Sequence, residues 1–205
     1  MNAAGGGGRG RLTIDAGGIA PLARQVPSPN RDARPEGAAV TLVVVHGISL
    51  PPGEFGGDGI LDLFTNRLDP RAHPYYATIA KLAVSAHFLV RRDGGLLQFV
   101  ACAERAWHAG ASTWKGRERC NDYSVGIELE GTDLIAYTAA QYAMLARLTR
   151  ALSRRYPIAD VVGHSDVAPG RKTDPGPAFD WARLRRLTAP ATPRTRRVPG
   201  PNSRC

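Results

Sequence analysis

With 205 residues, 43% hydrophobic content and 22% charged residues, the chain has the composition of one ordinary folded domain, which excludes a fibrous or wholly disordered protein. Its apolar runs are short, Leu42-Val43-Val44-Val45 among them, and none approaches the roughly 20 residues a membrane-crossing helix needs. The net charge of +9 sits at the ends: residues 41–180 carry 15 basic and 15 acidic side chains, residues 1–40 have an excess of two positive charges, and residues 181–205 carry seven Arg and no acid. A folded basic face with interleaved aromatics is missing, so neither a specific nucleic-acid partner nor a membrane partner is expected.

Taken in chain order, residues 1–20 read as a flexible Gly/Ala-rich leader without the apolar core of a secretory signal. Residues 21–39 are rich in Pro and Arg and read as an extended segment. The β-branched run 41–45 predicts a buried strand ending at His46-Gly47, and SLPPGEFGGD (49–58) is loop by composition. Short helices are predicted at 60–68 and 75–82, separated by Asp69-Pro70 and His73-Pro74. Residues 84–90 and 96–100 flank Arg-Arg-Asp-Gly-Gly, a hairpin signal.

SVGIELE (124–130) alternates strictly, placing Val125, Ile127 and Leu129 on one face and Gly126, Glu128 and Glu130 on the other. Thr138 and Gln141 have the spacing of a capping box for a helix that runs through Leu145, Leu148 and Leu152 to Tyr156-Pro157. Residues 160–163 predict a strand that delivers His164, 180–188 a closing helix, and 189–205 a basic disordered tail. Strands interleaved with helices predict a single α/β domain with a mixed central β-sheet flanked by helices, over residues 21–188. Three cysteines, Cys102, Cys120 and Cys205, without CxxC spacing point to free thiols in a reducing, cytoplasmic compartment.

Two histidines, His46 and His164, end apolar strands, and Lys172-Thr173-Asp174 follows the second by about ten residues. Two imidazoles and one carboxylate are a ligand set for a tetrahedral zinc with an open fourth position. Such an ion lowers the pKa of a water and polarises a carbonyl, two of the tasks of amide hydrolysis. Spacing alone does not decide this, because a histidine at a strand end is more often a hydrogen-bonding structural residue. Glu128 and Glu130 are open to three readings: a solvent-facing acidic edge, a glycosidase carboxylate pair, or a single general base beside a metal. Lys172, one of three Lys against 24 Arg, is a candidate oxyanion partner or a surface ion-pair donor. His73, His87 and His108 compete for ligand roles, though each alone suits packing or recognition, with His108 placed in a turn-like Ala-Trp-His-Ala-Gly.

Taken together, VVVHGISLPPGEFGG, RAWHAG, GRERCNDYSVGIELEGTD and GHSDVAPGRKTDPGPAFDW resemble the type 2 N-acetylmuramoyl-L-alanine amidase family, above all its cytoplasmic branch, over nearly all of residues 22–187. The resemblance implies the fold shared with peptidoglycan recognition proteins and a monomeric zinc amidase with one Zn2+ per chain. It implies hydrolysis of the lactyl amide between (1,6-anhydro-)N-acetylmuramic acid and L-Ala in muropeptides released by wall turnover. By the same resemblance the metal ligands are His46, His164 and Asp174, and the catalytic residues Glu128 and Lys172. Tyr75 lies near the site, and Trp107, His108 and Arg119 bind substrate. The competing reading is a non-catalytic peptidoglycan-binding module with the same fold.

Overall fold

The computed structural model describes residues 10–189. Ten strands form in chain order: β1 (Arg24–Gln25), β2 (Arg31–Ala33), β3 (Leu42–Ile48), β4 (Phe88–Val90), β5 (Leu96–Gln98), β6 (Glu104–Ala106), β7 (Thr113–Trp114), β8 (Arg117–Glu118), β9 (Ser124–Glu130) and β10 (Asp160–Gly163). The helices are α1 (Gly59–Phe64), α2 (Pro74–Ile79), α3 (Ala139–Arg155), α4 (His164–Val167) and α5 (Trp181–Thr188). The main sheet has the order β1-β5-β4-β9-β3-β10. It is mixed: β3 pairs parallel with β9 and β10, β4 pairs parallel with β9, and β4–β5 is the antiparallel hairpin. The hairpin closes as its sequence predicts, with Gly94 at φ 87° and the Arg91 N–H donating to the Gly95 carbonyl at 2.9 Å.

The period-two patterns of the central strands decide what each face of the sheet carries. Val43, Val45, Phe88, Val125, Ile127 and Leu129 face α3, whose Leu145, Leu148 and Leu152 repeat at helical spacing and complete the larger core. The α3 cap is the predicted box: Thr138 Oγ1 accepts from the Gln141 N–H at 3.1 Å, and Gln141 Oε1 accepts from the Thr138 N–H at 3.0 Å. Gln141 also donates from Nε2 to the Glu130 carbonyl at 2.9 Å, which ties the helix start to the end of β9. The opposite face turns Leu42, Val44 and His46 of β3, and Ser124, Gly126, Glu128 and Glu130 of β9, toward the loops and short helices.

Three expectations need correction. Residues 10–20 are not a flexible leader, since Leu12, Ile14 and Ala20 are buried in the larger core. Arg154 and Arg155 of α3 hold this segment by donating to the carbonyls of Leu12, Asp15 and Ala16. Residues 1–9 of the expected leader and 190–205 of the expected tail lie outside the described residues. The short helices stop early, α1 at Phe64, where Asn66 adopts φ 58° and the chain turns away, and α2 at Ile79. Finally, Glu128 and Glu130 do not form a solvent-facing edge, for every residue of β9 is buried. No described helix is long and apolar enough to cross a membrane.

Candidate metal centre and cleft

Strand register builds the centre. Parallel pairing sets His46 opposite Glu128 on adjacent strands, so the two side chains leave the sheet on the same face. Gly163 pairs with Val45, which places His164, the first residue of α4, beside His46. Asp174 arrives on the following loop, anchored where its carbonyl accepts the Ser165 N–H at 2.9 Å. Its carboxylate takes the Gly47 N–H at 3.4 Å. Behind it, Tyr137 donates its hydroxyl to the Pro175 carbonyl at 3.0 Å, and a Cβ at position 47 would overlap that hydroxyl.

Three donor atoms converge. His46 Nδ1 and His164 Nδ1 lie 3.0 Å apart, and Asp174 Oδ2 lies 3.3 Å from the first and 3.2 Å from the second. The far nitrogen of His164 donates to the Ala109 carbonyl at 3.2 Å, which leaves Nδ1 as a lone pair aimed inward. A lone pair on His164, a second imidazole nitrogen and a carboxylate facing one another suit a cation. A tetrahedral zinc with bonds of about 2.0–2.1 Å spaces its ligands about 3.3 Å apart, so the donor set fits the ion that the sequence implies.

Beside the donors, Glu128 Oε1 is 3.9 Å from His46 Nδ1, and its Oε2 is buried with no hydrogen-bond partner among the described residues. Burial, then repulsion from Asp174, raises the Glu128 carboxyl well above its ordinary value, with Lys172 pulling the other way. Burial also acts to raise Asp174, yet the His164 and His46 imidazoles packed against its carboxylate outweigh it and hold that carboxyl far below the usual range. Burial pushes His46 down to about 4, against the pull of Asp174. Two acids of one type are thus driven apart, the arrangement that separates a proton carrier from a permanent anion.

The centre opens into a cleft of about 590 Å3 that Lys172, Tyr75 and Trp107 line together with the metal-site residues. Tyr75 is 40% exposed on the first turn of α2. Its N–H is capped by His73 Nδ1 at 3.1 Å, which makes His73 a helix cap. Trp107 donates its indole N–H to Asp32 at 3.2 Å, and Arg105 holds that carboxylate at 2.7 Å. His108 touches the cleft but stands behind His46, its Nδ1 2.9 Å from His46 Nε2. His87 is fully buried and accepts the Gly126 N–H, a packing role.

Arg119 is not brought to this cleft. It lies with Arg171 on a separate cleft of about 580 Å3 and pairs with Asp122 at 3.1 Å. Glu130 is taken up by Arg91 at 2.8 Å and by the N–H groups of Gly56 and Arg92. This removes it as the second carboxylate of a glycosidase pair. Sequence reasoning did not find Tyr137, Asp32 or the open positions at Gly47 and Gly126. For Gly47 and Gly126 the small residue itself is the one signal in the sequence.

The N-acetylmuramoyl-L-alanine amidase family model, Amidase_2, matches residues 36–177. The 1,6-anhydro-N-acetylmuramyl-L-alanine amidase AmpD of Escherichia coli (strain K12) is 62% identical over 172 residues, covering 83% of this chain and 94% of its own. Its Citrobacter freundii counterpart is 58% identical over 183 residues, covering 88% and 97%. Among solved structures, a selenomethionine AmpD derivative is similar with a TM-score of 0.85 at 59% identity, over 87% of this chain and 100% of that one. A complex of the E. coli amidase AmiD with anhydro-N-acetylmuramic acid-L-Ala-D-gamma-Glu-L-Lys gives a TM-score of 0.54 at 30% identity, over 75% and 60%.

Proposed function

The chain belongs to the Amidase_2 family of N-acetylmuramoyl-L-alanine amidases, and from that we propose that it cleaves the amide joining the lactyl group of 1,6-anhydro-N-acetylmuramic acid to L-Ala in soluble muropeptides, in the cytoplasm, with one zinc ion per chain. The observation that carries the reading is the convergence of His46 Nδ1, His164 Nδ1 and Asp174 Oδ2 beside a Glu128 Oε2 that has no hydrogen-bond partner among the described residues. The AmpD relatives bear the name of that substrate, and an AmiD structure holds an anhydromuramyl peptide.

A zinc ion on His46, His164 and Asp174 supplies Lewis-acid polarisation of the amide carbonyl and lowers the pKa of a water. The chain's own groups do the rest. Glu128 takes a proton from the attacking water as its oxygen bonds to the carbonyl carbon, and a carboxyl raised by burial holds that proton readily. It then delivers the proton to the amide nitrogen as the C–N bond breaks, leaving a lactyl carboxylate and the free amino group of L-Ala. Lys172, on the cleft wall, offers an ammonium to the oxygen that gains negative charge. Tyr75 and Trp107 wall the sugar–peptide junction.

The test is chromatographic: purified protein is incubated with anhydromuramyl-tripeptide, with and without a zinc chelator. Chelator-sensitive release of free tripeptide is expected. No release from zinc-loaded, folded protein would support the binding-module reading instead, and release that survives full zinc removal would overturn the mechanism.

A further inference from the structure

We propose that His108 is a positioning residue for the metal: as the middle member of a hydrogen-bonded row Ser124–His108–His46, it holds His46 in the tautomer that presents a lone pair at Nδ1. His46 uses its two nitrogens on opposite sides. Nδ1 faces His164 and Asp174, while Nε2 faces away and lies 2.9 Å from His108 Nδ1. His108 Nε2 in turn lies 3.1 Å from Ser124 Oγ, and Ser124 is fully buried.

A neutral imidazole has one N–H, so each hydrogen bond in the row fixes the next. If His46 gives its Nδ1 lone pair to an ion, its proton sits on Nε2 and is donated to His108 Nδ1. The His108 proton then sits on Nε2 and is donated to Ser124 Oγ. In the reverse order the serine hydroxyl donates to His108 Nε2, His108 donates from Nδ1 to His46 Nε2, and the His46 proton is driven onto Nδ1, where Asp174 accepts it. The row therefore has two directions, and only the first, with His108 Nδ1 as the acceptor, leaves the His46 Nδ1 lone pair free for an ion.

The seat of His108 is built for this contact. A Cβ at position 126 would overlap its ring, so the absence of a side chain at Gly126 provides the space. The side-chain carbonyl of Asn121 accepts the main-chain N–H groups of His108 at 3.2 Å and Ala109 at 2.8 Å, which fixes the backbone of both. That backbone serves the second ligand as well, since the Ala109 carbonyl takes the Nε2–H of His164. The dipeptide His108-Ala109 thus orients both ligand imidazoles, one through a side chain and one through a carbonyl.

Partners of this kind typically carry a 10- to 100-fold effect on metal affinity when removed. The test is zinc affinity of the full chain, measured by competition with a chromophoric chelator. The variants are His108→Phe, which keeps a ring but no acceptor, and His108→Asn, whose Oδ1 stands where Nδ1 was. The affinity of His108→Phe is expected to fall about 10- to 100-fold and that of His108→Asn to recover most of the loss. Ring 15N shifts of the zinc-loaded wild type are expected to show protons on Nε2 of both His46 and His108.

Unchanged zinc affinity in His108→Phe overturns the proposal, as does a His108→Asn that is no better than His108→Phe. A proton on His108 Nδ1 in the loaded protein also overturns it. If His108→Phe does not fold, the ring shifts of the wild type decide together with Ser124→Ala, which is expected to weaken zinc binding and overturns the proposal if it does not. The inference rests on the zinc reading of the site. Failure of that reading would appear as a wild type that binds no stoichiometric zinc, whereas failure of this one leaves wild type and variant equally loaded.

Discussion

Glu128 carries both a chemical role and a stability cost in one side chain. Its Oε2 is buried without a hydrogen-bond partner among the described residues, and burial with the nearby Asp174 disfavours its charge. Glu128→Gln keeps the shape and removes both the proton carrier and the penalised charge. Turnover is expected to fall by about 10²- to 10⁴-fold, zinc content to persist, and stability at neutral pH to hold or rise. Assays of product release, bound zinc and urea unfolding on one preparation check all three, and a near-normal rate sinks the assignment. Gly126 works by absence. The His108 ring occupies the volume a Cβ would take, so Gly126→Ala is an overpacking substitution worth about 1–3 kcal/mol, read from the shift in urea midpoint. A midpoint that does not move would show that His108 can retreat without cost.

The elements that the sequence announces are those with enough residues to show a period. SVGIELE alternates over seven residues, and α3 repeats over 17, so both were legible with their faces and the α3 cap. Legible too were the strand ends that deliver His46 and His164, and the donor set itself once Asp174 is added. What strand β9 packs against was not legible. Alternation implies one wet face, but the loops that cover Glu128 and Glu130 come from distant segments. Strands of two or three residues such as β1, β7 and β8 have no period to read. The start of the domain was missed because Leu12 and Ile14 stand among glycines, although both are buried against α3. This gives the N-terminal segment a measurable weight: Leu12→Ala is expected to cost about 2 kcal/mol or more in denaturant unfolding, where a flexible leader would cost nothing.

At the scale of the whole molecule, acid is the condition that opposes this fold. His87 is fully buried, accepts the Gly126 N–H on Nδ1 at 3.0 Å, and lies 3.1 Å from the Arg34 guanidinium. Burial first, and then the positive charge of Arg34, hold its pKa well below the ordinary 6.5. The unfolded chain binds a proton there as pH falls through 6.5 while the folded chain does not, so folding loses stability on acidification below that point. Each buried imidazole of this kind contributes at most about 1.4 kcal/mol per pH unit. Glu128 acts with the opposite sign, because a carboxyl raised in the fold gains protons before the unfolded chain does, and total stability therefore mixes the two. A pair of proteins separates them. His87→Asn keeps an acceptor for the Gly126 N–H and removes the titrating ring. In chelator-treated protein, the stability advantage of wild type over His87→Asn should shrink by about 1–2 kcal/mol between pH 6.5 and 5 and stay level above pH 7. An advantage that is constant across the range would mean that the folded protein takes up the proton at His87 as easily as the unfolded chain, and that acid acts elsewhere.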